Sequence, residues 1–448
     1  MKNIIGREEE LKQIKAFLSN NKQNNLVIYG KKRSGKTTLI EKSLEKFKGT
    51  VVFYQCRDIN MNSTIRELTN LLQRVLNNSF LHFTYIEDVI SFCYEQKNLA
   101  LVLDEYHNLE KRDNNIHVKM NDLAKKYKGK SKLKLFITSE YVIDGLNDFE
   151  SLTVNEHNYL DASLYYKKFK NDDKVRFYAC FGGDAYFNSL INEDKSFIEN
   201  LIELGIKENS PLEMVITSFL NSELGKITIA NDVLLAMASG KHKNKDICEA
   251  AGVGSAQLDN ALRRLVELDV VERITPINDP NNRKKIIYFI KNNAINFYYR
   301  FIFPYLTYRS NMSNEEFYEE FIKNDFEENY LPQIYELISK QFLSLLNATD
   351  KIDPKFKAIG SYYYDDKLNS KNDLFDVVTL DDYGYVFYNV TFNDKKVSSL
   401  DLKKQIFQLK RDNIQYYNLG FITKSGSSID SKIYKLYSLN DVYNVKKL

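Results

Sequence analysis

Residues 30–37 read Gly-Lys-Lys-Arg-Ser-Gly-Lys-Thr; the apolar run Leu26-Val27-Ile28-Tyr29 leads in and Thr38-Leu39-Ile40 leads out. Few segments of this length restrict a fold as tightly. The flanks predict a buried strand before the turn and a helix after it, and the turn matches the G-x-x-x-x-G-K-[ST] pattern of a phosphate-binding loop. Gly30 and Gly35 let the backbone curl so that successive N–H groups and the helix N-terminus converge on an anion. In that pattern Lys36 reaches the β- and γ-phosphates, and the Thr37 hydroxyl takes a place on Mg2+. Lys31, Lys32, Arg33 and Ser34 make up the rest of the loop and Thr38 follows it, so ATP with Mg2+ is the first ligand to expect.

Such a loop needs an acidic partner on a neighbouring strand. Leu99-Ala100-Leu101-Val102-Leu103 runs into Asp104-Glu105, which reads as a Walker B strand. Asp104 is then the Mg2+ residue and Glu105 the general base that polarises the attacking water. The plainer reading of that strand end is a solvated loop start. A third apolar run, 133–137, ends in Thr138-Ser139, and Ser139 is the expected γ-phosphate sensor. With Val51–Gln55 these give four strands alternating with helical spacing at 63–76 and 86–94, an α/β chain built on a P-loop NTPase parallel sheet.

Charge and cysteine usage narrow the class further. Lys plus Arg is 63 against 60 Asp plus Glu, a net +3, so the chain as a whole demands no polyanionic partner. Cys56, Cys93, Cys180 and Cys248 form no C-x-x-C and sit in apolar stretches, as reduced core thiols do. There is no run of about twenty apolar residues, and Met1 to Ile5 opens on folded-looking sequence, so neither a membrane span nor a signal peptide is expected. The expected location is cytoplasmic.

At 448 residues the chain is about three domains long or more. The reading is an ATPase core over 1–158, a helical lid over 159–222 with paired glycines in Gly182-Gly183-Asp184-Ala185-Tyr186, a winged helix-turn-helix over 223–310, and an α/β domain over 311–448. The third segment shows three helices, the last capped by Ser255 with Leu258, Leu262 and Leu265 facing inward. Two strands then flank the turn Asp279-Pro280-Asn281-Asn282. Residues 225–309 carry 13 Lys/Arg against 8 Asp/Glu. A module so charged puts its third helix in a major groove and its wing on the backbone, making Gln257, Asn260, Arg264, Arg283, Lys284 and Lys285 the candidate contacts to double-stranded DNA. Packing against the ATPase is the equal alternative.

Taken together, Ile5-Gly6-Arg7-Glu8-Glu9-Glu10-Leu11, the phosphate loop, Leu103-Asp104-Glu105, Ile137-Thr138-Ser139, the Gly-Gly-Asp-Ala-Tyr turn and the winged helix resemble the archaeal and bacterial AAA-type ATPases related to the STAND switch ATPases. The resemblance adds Gly6 and Arg7 to the nucleotide-binding set, and it implies a C-terminal restriction-endonuclease-like domain. Two departures stand out. No Gly-Arg follows the sensor strand, where the chain reads Leu146-Asn147-Asp148-Phe149-Glu150, and Ala185 replaces the lid proline. A missing arginine implies either slow turnover or an arginine supplied from elsewhere, since an arginine finger is worth about 10³–10⁵ in rate.

A nuclease of the implied fold needs acids and a lysine around a metal. Glu336 and Asp376 fall where acids belong, but Asn389 and Thr391 replace the Glu-x-Lys pair, and neither supplies the charge that was lost. Leu374 also stands at a position that is usually acidic. Lys395, Lys396, Lys403, Lys404, Lys410 and Arg411 follow, reading first as a solvated helix face and second as phosphate contacts. The expectation is therefore a slowly hydrolysing ATP switch coupled to DNA or a protein partner, with nucleotide-driven oligomerisation an open option. The alternatives are an ATP-regulated DNA nuclease of a defence or mobile-element system, disfavoured by the degenerate motif, and a structural DNA-binding protein with a vestigial ATP site.

Overall fold

The computed structural model describes residues 4–224, 227–366, 368–369, 371–429 and 433–445. The chain falls into two compact units. The first runs to His157 and takes in Asp184–Tyr186; the second holds Asn158–Gly183 and the chain from Phe187 on.

In the first unit five parallel strands lie in the order β2 (Thr50–Gln55), β3 (Leu99–Asp104), β4 (Lys134–Ser139), β1 (Asn25–Tyr29), β5 (Glu150–Thr153). Every residue of β1, β3 and β4 is buried, which explains why these strands read as unbroken apolar runs: helices cover both faces of a parallel sheet. Leu26 and Ile28 meet helices Glu8–Ser19 and Lys36–Leu44 through Ile14, Phe17, Leu39 and Ile40. Val27 and Tyr29 share the opposite core with Leu68, Ile90 and Met120 of helices Met61–Val75, Ile86–Glu95 and Ile116–Tyr127. The strand pattern did not announce β5, which buries Leu152 alone of its four residues. Because β4 lies between β1 and β3, the carboxyl ends of the phosphate-loop strand and the Asp104 strand flank that of β4, where α/β sheets bind ligands.

In the second unit, helices and a mixed sheet share one apolar core that includes residues from Tyr159 to Val442. Its polar links span distant segments: the Tyr159 hydroxyl donates to Val442 O at 2.7 Å, and the Tyr330 hydroxyl donates to Ala179 O and Asn293 O. Apart from Asp184–Tyr186, the segments read as lid, winged helix and C-terminal domain lie within one compact unit. Helices Ile227–Ala238, Asn244–Ala251 and Ser255–Glu267 precede an antiparallel pair, β6 (Val271–Ile274) and β7 (Ile287–Ile290). Helix Leu331–Ala348 then packs on a five-stranded sheet ordered β12 (Lys435–Ser438), β11 (Asn418–Thr423), β10 (Tyr385–Thr391), β9 (Lys371–Leu380), β8 (Ala358–Asp366). Helix Ser399–Arg411 joins β10 to its parallel neighbour β11.

The loop between β6 and β7 is bound to the edge of that sheet. Ile277 N donates to Ser361 O at 2.9 Å, while the Asn278 amide brackets Tyr363, donating to its O at 2.8 Å and accepting from its N at 3.0 Å. A side chain at Gly360 would place its Cβ 2.5 Å from Ile277 Cγ2. Among the described residues no helix is long and apolar enough to cross a membrane.

Candidate nucleotide site

The phosphate loop starts where β1 ends. Gly30 N donates to Ser139 O at 3.1 Å, and a Cβ on Gly30 would lie 2.4 Å from Val154 O, so only glycine fits between the two neighbouring strands. Gly35 is left-handed, with φ 92°, and caps the helix that begins at Lys36. A Cβ there would meet nothing within 4 Å, so it is the left-handed backbone, and not lack of room, that favours glycine at this turn. Arg33 also has positive φ, 64°.

Lys36 folds back into the loop, its Nζ donating to Gly30 O at 2.5 Å and to Lys31 O at 2.8 Å. Burial pulls its ammonium below the ordinary value, and the carboxylates of Glu140, Asp104 and Glu105 work against that. The Thr37 hydroxyl donates to Asp104 Oδ2 at 2.9 Å, and the Thr138 hydroxyl donates to Asp104 Oδ1 at 2.6 Å. The Thr138 oxygen in turn accepts from Glu105 N at 2.9 Å. Thr37 and Asp104 are adjacent hard oxygen donors, and this donor set fits Mg2+.

Glu105 sits at φ 55°, a conformation that costs a non-glycine residue about 1 kcal/mol or more. Its carboxylate accepts from the Gln55 amide at 3.2 Å, at the end of the strand next to β3. Ser139, the expected sensor, is fully buried and donates to Tyr141 O at 2.7 Å inside its own turn. The side chains that flank the site instead are Thr138 and Glu140. Glu140 lies 4.0 Å from His107 Nε2, and His107 is held below its ordinary pKa mainly by burial. Their signal was present in the sequence, since a strand ending in Thr-Ser-Glu offers three polar groups, but which one faces Asp104 depends on the pleat.

Gly6 is left-handed, with φ 66°. Arg7 is buried, donating to Ser34 O at 3.1 Å and Asn155 O at 2.6 Å and pairing with Glu10 at 2.8 Å, so it holds the loop from behind. Lys31 pairs with Glu156 at 3.0 Å, Lys32 and Thr38 are exposed, and Ser34 is buried with an unpartnered hydroxyl. Arg33 Nε lies 3.6 Å from Asp184 Oδ2. Asp184 belongs to Asp184–Tyr186, which groups with this unit.

The expected DNA contacts are engaged within the chain. Gln257 caps its own helix by accepting from Gly254 N at 3.1 Å, Asn260 accepts from Arg263 at 2.6 Å, and Arg264 pairs with Glu267 at 3.3 Å and Glu223 at 3.5 Å. Lys285 pairs with Asp279 at 2.9 Å and lies 4.0 Å over the Tyr363 ring. Lys284 is exposed; the side chain of Arg283 lies outside the described residues.

Glu336, Asp376 and Asn389 line one 150 Å³ cavity, and Thr391 lines an adjoining 610 Å³ hollow with Asn389. Burial, then Asp376, pushes Glu336 up to about 8; burial also raises Asp376. Among the described residues no group of three or more His, Cys, Asp or Glu side chains is arranged to hold a metal. All four cysteines are free, and three are buried.

Residues 4–183 match an ATPase domain predominantly from Archaea, and residues 298–404 match a family of archaeal and bacterial proteins of unknown function. An uncharacterized protein of Methanocaldococcus jannaschii is 26% identical over 416 residues, which cover 89% of this chain and 87% of that protein. Among solved structures, the Walker-type ATPase PABY2304 of Pyrococcus abyssi is 14% identical with TM-score 0.48, covering 66% of this chain and 96% of the other. Cdc6p from Pyrobaculum aerophilum is 15% identical with TM-score 0.36, covering 71% and 96%.

Proposed function

From a chain that carries a P-loop ATPase domain of the archaeal type at residues 4–183 and a domain of a family of unknown function at residues 298–404, we propose a nucleotide-dependent switch of the STAND kind. It binds Mg2+-ATP at the phosphate loop, hydrolyses it slowly, and couples nucleotide state to binding of DNA or a protein partner. The observation that carries the reading is Asp104, whose two carboxylate oxygens accept from Thr37 on the loop and Thr138 on the neighbouring strand.

In this mechanism Lys36 exchanges the carbonyls of Gly30 and Lys31 for β- and γ-phosphate oxygens. Thr37 and Asp104 would hold Mg2+, which would supply positive charge to the phosphates. Glu105 leaves Gln55 to orient a water in line with the γ-phosphate, and Thr138 holds Asp104 and the Glu105 backbone in register. No arginine lies between Leu146 and Glu150, which fits slow turnover. Domain limits at 158, 222 and 310 belong to the same proposal, with 223–310 as the winged helix. Since Gln257, Asn260, Arg264 and Lys285 have partners in the chain, DNA contact through this module runs through its exposed Lys241, Lys243, Lys245 and Lys284.

ATP hydrolysis by the purified protein with Mg2+, with and without duplex DNA, tests the proposal. Lys36→Ala is expected to lose ATP binding, and Glu105→Gln to keep it while turnover falls at least about a hundredfold, the lower end of the range for removing a general base. Hydrolysis at the parent rate by Glu105→Gln would remove Glu105 from its role. DNA that changes neither turnover nor nucleotide affinity would leave a protein partner as the output.

A further inference from the structure

The 610 Å³ hollow of the C-terminal sheet has an asymmetric lining that no step of ATP hydrolysis uses. Lys395 and Lys396 on the loop after β10, and Lys404 on helix Ser399–Arg411, stand at its rim. All three are exposed, and none lies within 4.0 Å of a carboxylate among the described residues. Asp401, the one acid in the lining, is already committed, accepting from Ser398 N at 2.9 Å and Ser398 Oγ at 2.7 Å to cap the helix.

Deeper in, the character changes. Gln405 is 5% exposed, and its Oε1 has no hydrogen-bond partner; the buried Thr391 hydroxyl has none either. Leaving buried polar atoms unpaired is unfavourable, a cost that a ligand bearing N–H or O–H groups removes. Gln405 also lines the smaller cavity with Glu336 and Asp376. That carboxyl pair would repel an anion if ionised, but burial holds both groups toward the neutral form.

We propose that this hollow binds a nucleotide unit without cleaving it, the phosphate on Lys395, Lys396 and Lys404 and the sugar or base on Gln405 and Thr391. Cations at the mouth and unpaired polar atoms at the floor match a ligand that is anionic at one end and a hydrogen-bond donor at the other. Exposed Phe407, one turn beyond Lys404 on the same helix, is 68% accessible, a stacking surface for the next base of a strand.

The test uses the full chain carrying Lys36→Ala, so that the phosphate loop does not contribute, and a fluorescein-labelled single-stranded oligonucleotide. Lys396→Ala with Lys404→Ala should weaken binding at least tenfold without moving the unfolding midpoint. It should also lower the log–log salt slope by about 1.4, at roughly 0.7 per phosphate on a single strand. Gln405→Met should weaken binding roughly threefold to tenfold, as loss of one hydrogen bond does. Unlabelled AMP that displaces the oligonucleotide would make a free mononucleotide the source; AMP that does not would make it a strand. Unchanged affinity in the lysine variants overturns the proposal, as does affinity lost only in Lys241→Ala with Lys243→Ala. Because hydrolysis is silenced throughout, neither result depends on the ATPase reading.

Discussion

Single side chains set the chemistry, and Thr138 is the clearest case. Its hydroxyl oxygen joins Asp104 Oδ1 to the backbone N–H of Glu105, so it fixes both acids of the site at once. Thr138→Val keeps the shape but leaves Asp104 Oδ1 and the Glu105 N–H without that partner. Hydrogen bonds to charged groups are worth about 1.5–3 kcal/mol, so turnover should fall roughly 10- to 100-fold, measured as kcat, while ATP affinity set by Lys36 changes less. Ser139→Ala, which removes a bond inside its own turn, should cost much less. Glu336 gives a pH test. An unfolded glutamate titrates near 4.5, whereas the folded carboxyl is pushed up to about 8, so between those values the native state holds a proton that the unfolded state has released. Stability then falls as pH rises through this window. Glu336→Gln does not titrate, and its urea midpoint should gain on that of the parent from about pH 4.5 to about pH 8. A gap that stays constant across the window would mean that the site is solvated.

At the scale of elements, the β6–β7 loop shows how a local pattern can be right while its use is not visible in the sequence. Its hairpin is legible from Val270-Val271 and Ile286-Ile287 around Asp279-Pro280, yet the loop lies on the edge of β8, with Asn278 bonding both backbone groups of Tyr363. Asn278→Ala strips those two bonds, and at about 0.5–1.5 kcal/mol each it should destabilise the second unit by about 1–3 kcal/mol in urea unfolding. The same edge protection keeps β8 from pairing with another chain, so the variant should also aggregate more readily on light scattering. Periodicity and motif spacing revealed β1, β3 and β4 because they are buried on both faces and end in the chemistry itself. They missed β5, whose single buried leucine leaves no pattern. They chose Ser139 over Thr138 because a strand's last residues alternate between faces, and only the pairing with β1 and β3 says which face is which. The partners of Gln257, Asn260 and Lys285 lie three to six residues away, but whether such neighbours meet depends on the local backbone, and Glu223, which pairs with Arg264, is distant in sequence.

For the whole molecule, the decisive feature is the route of the chain. Asp184–Tyr186 packs with the ATPase unit, although the residues on both sides of it, Asn158–Gly183 and those from Phe187, belong to the other unit. Asp184 lies 3.6 Å from Arg33, a phosphate-loop residue with positive φ, and its other oxygen accepts from Tyr186 N at 2.8 Å. Gly182, at φ 57°, caps helix Asn171–Phe181 immediately before this segment, so a shift of the loop would be passed by covalent connection into two helices, Asn171–Phe181 and Ala185–Leu190. A ligand moves such a linkage only as far as it favours one arrangement over the other. If nucleotide state is read through Arg33, ATP binding should change hydrogen exchange in 171–181 and 187–190, and Asp184→Ala should abolish that change while ATP affinity stays within a few-fold. Arg33→Ala should give the same loss of coupling. Exchange in both helices that still responds to ATP in the two variants would mean that the signal leaves the nucleotide site by another path.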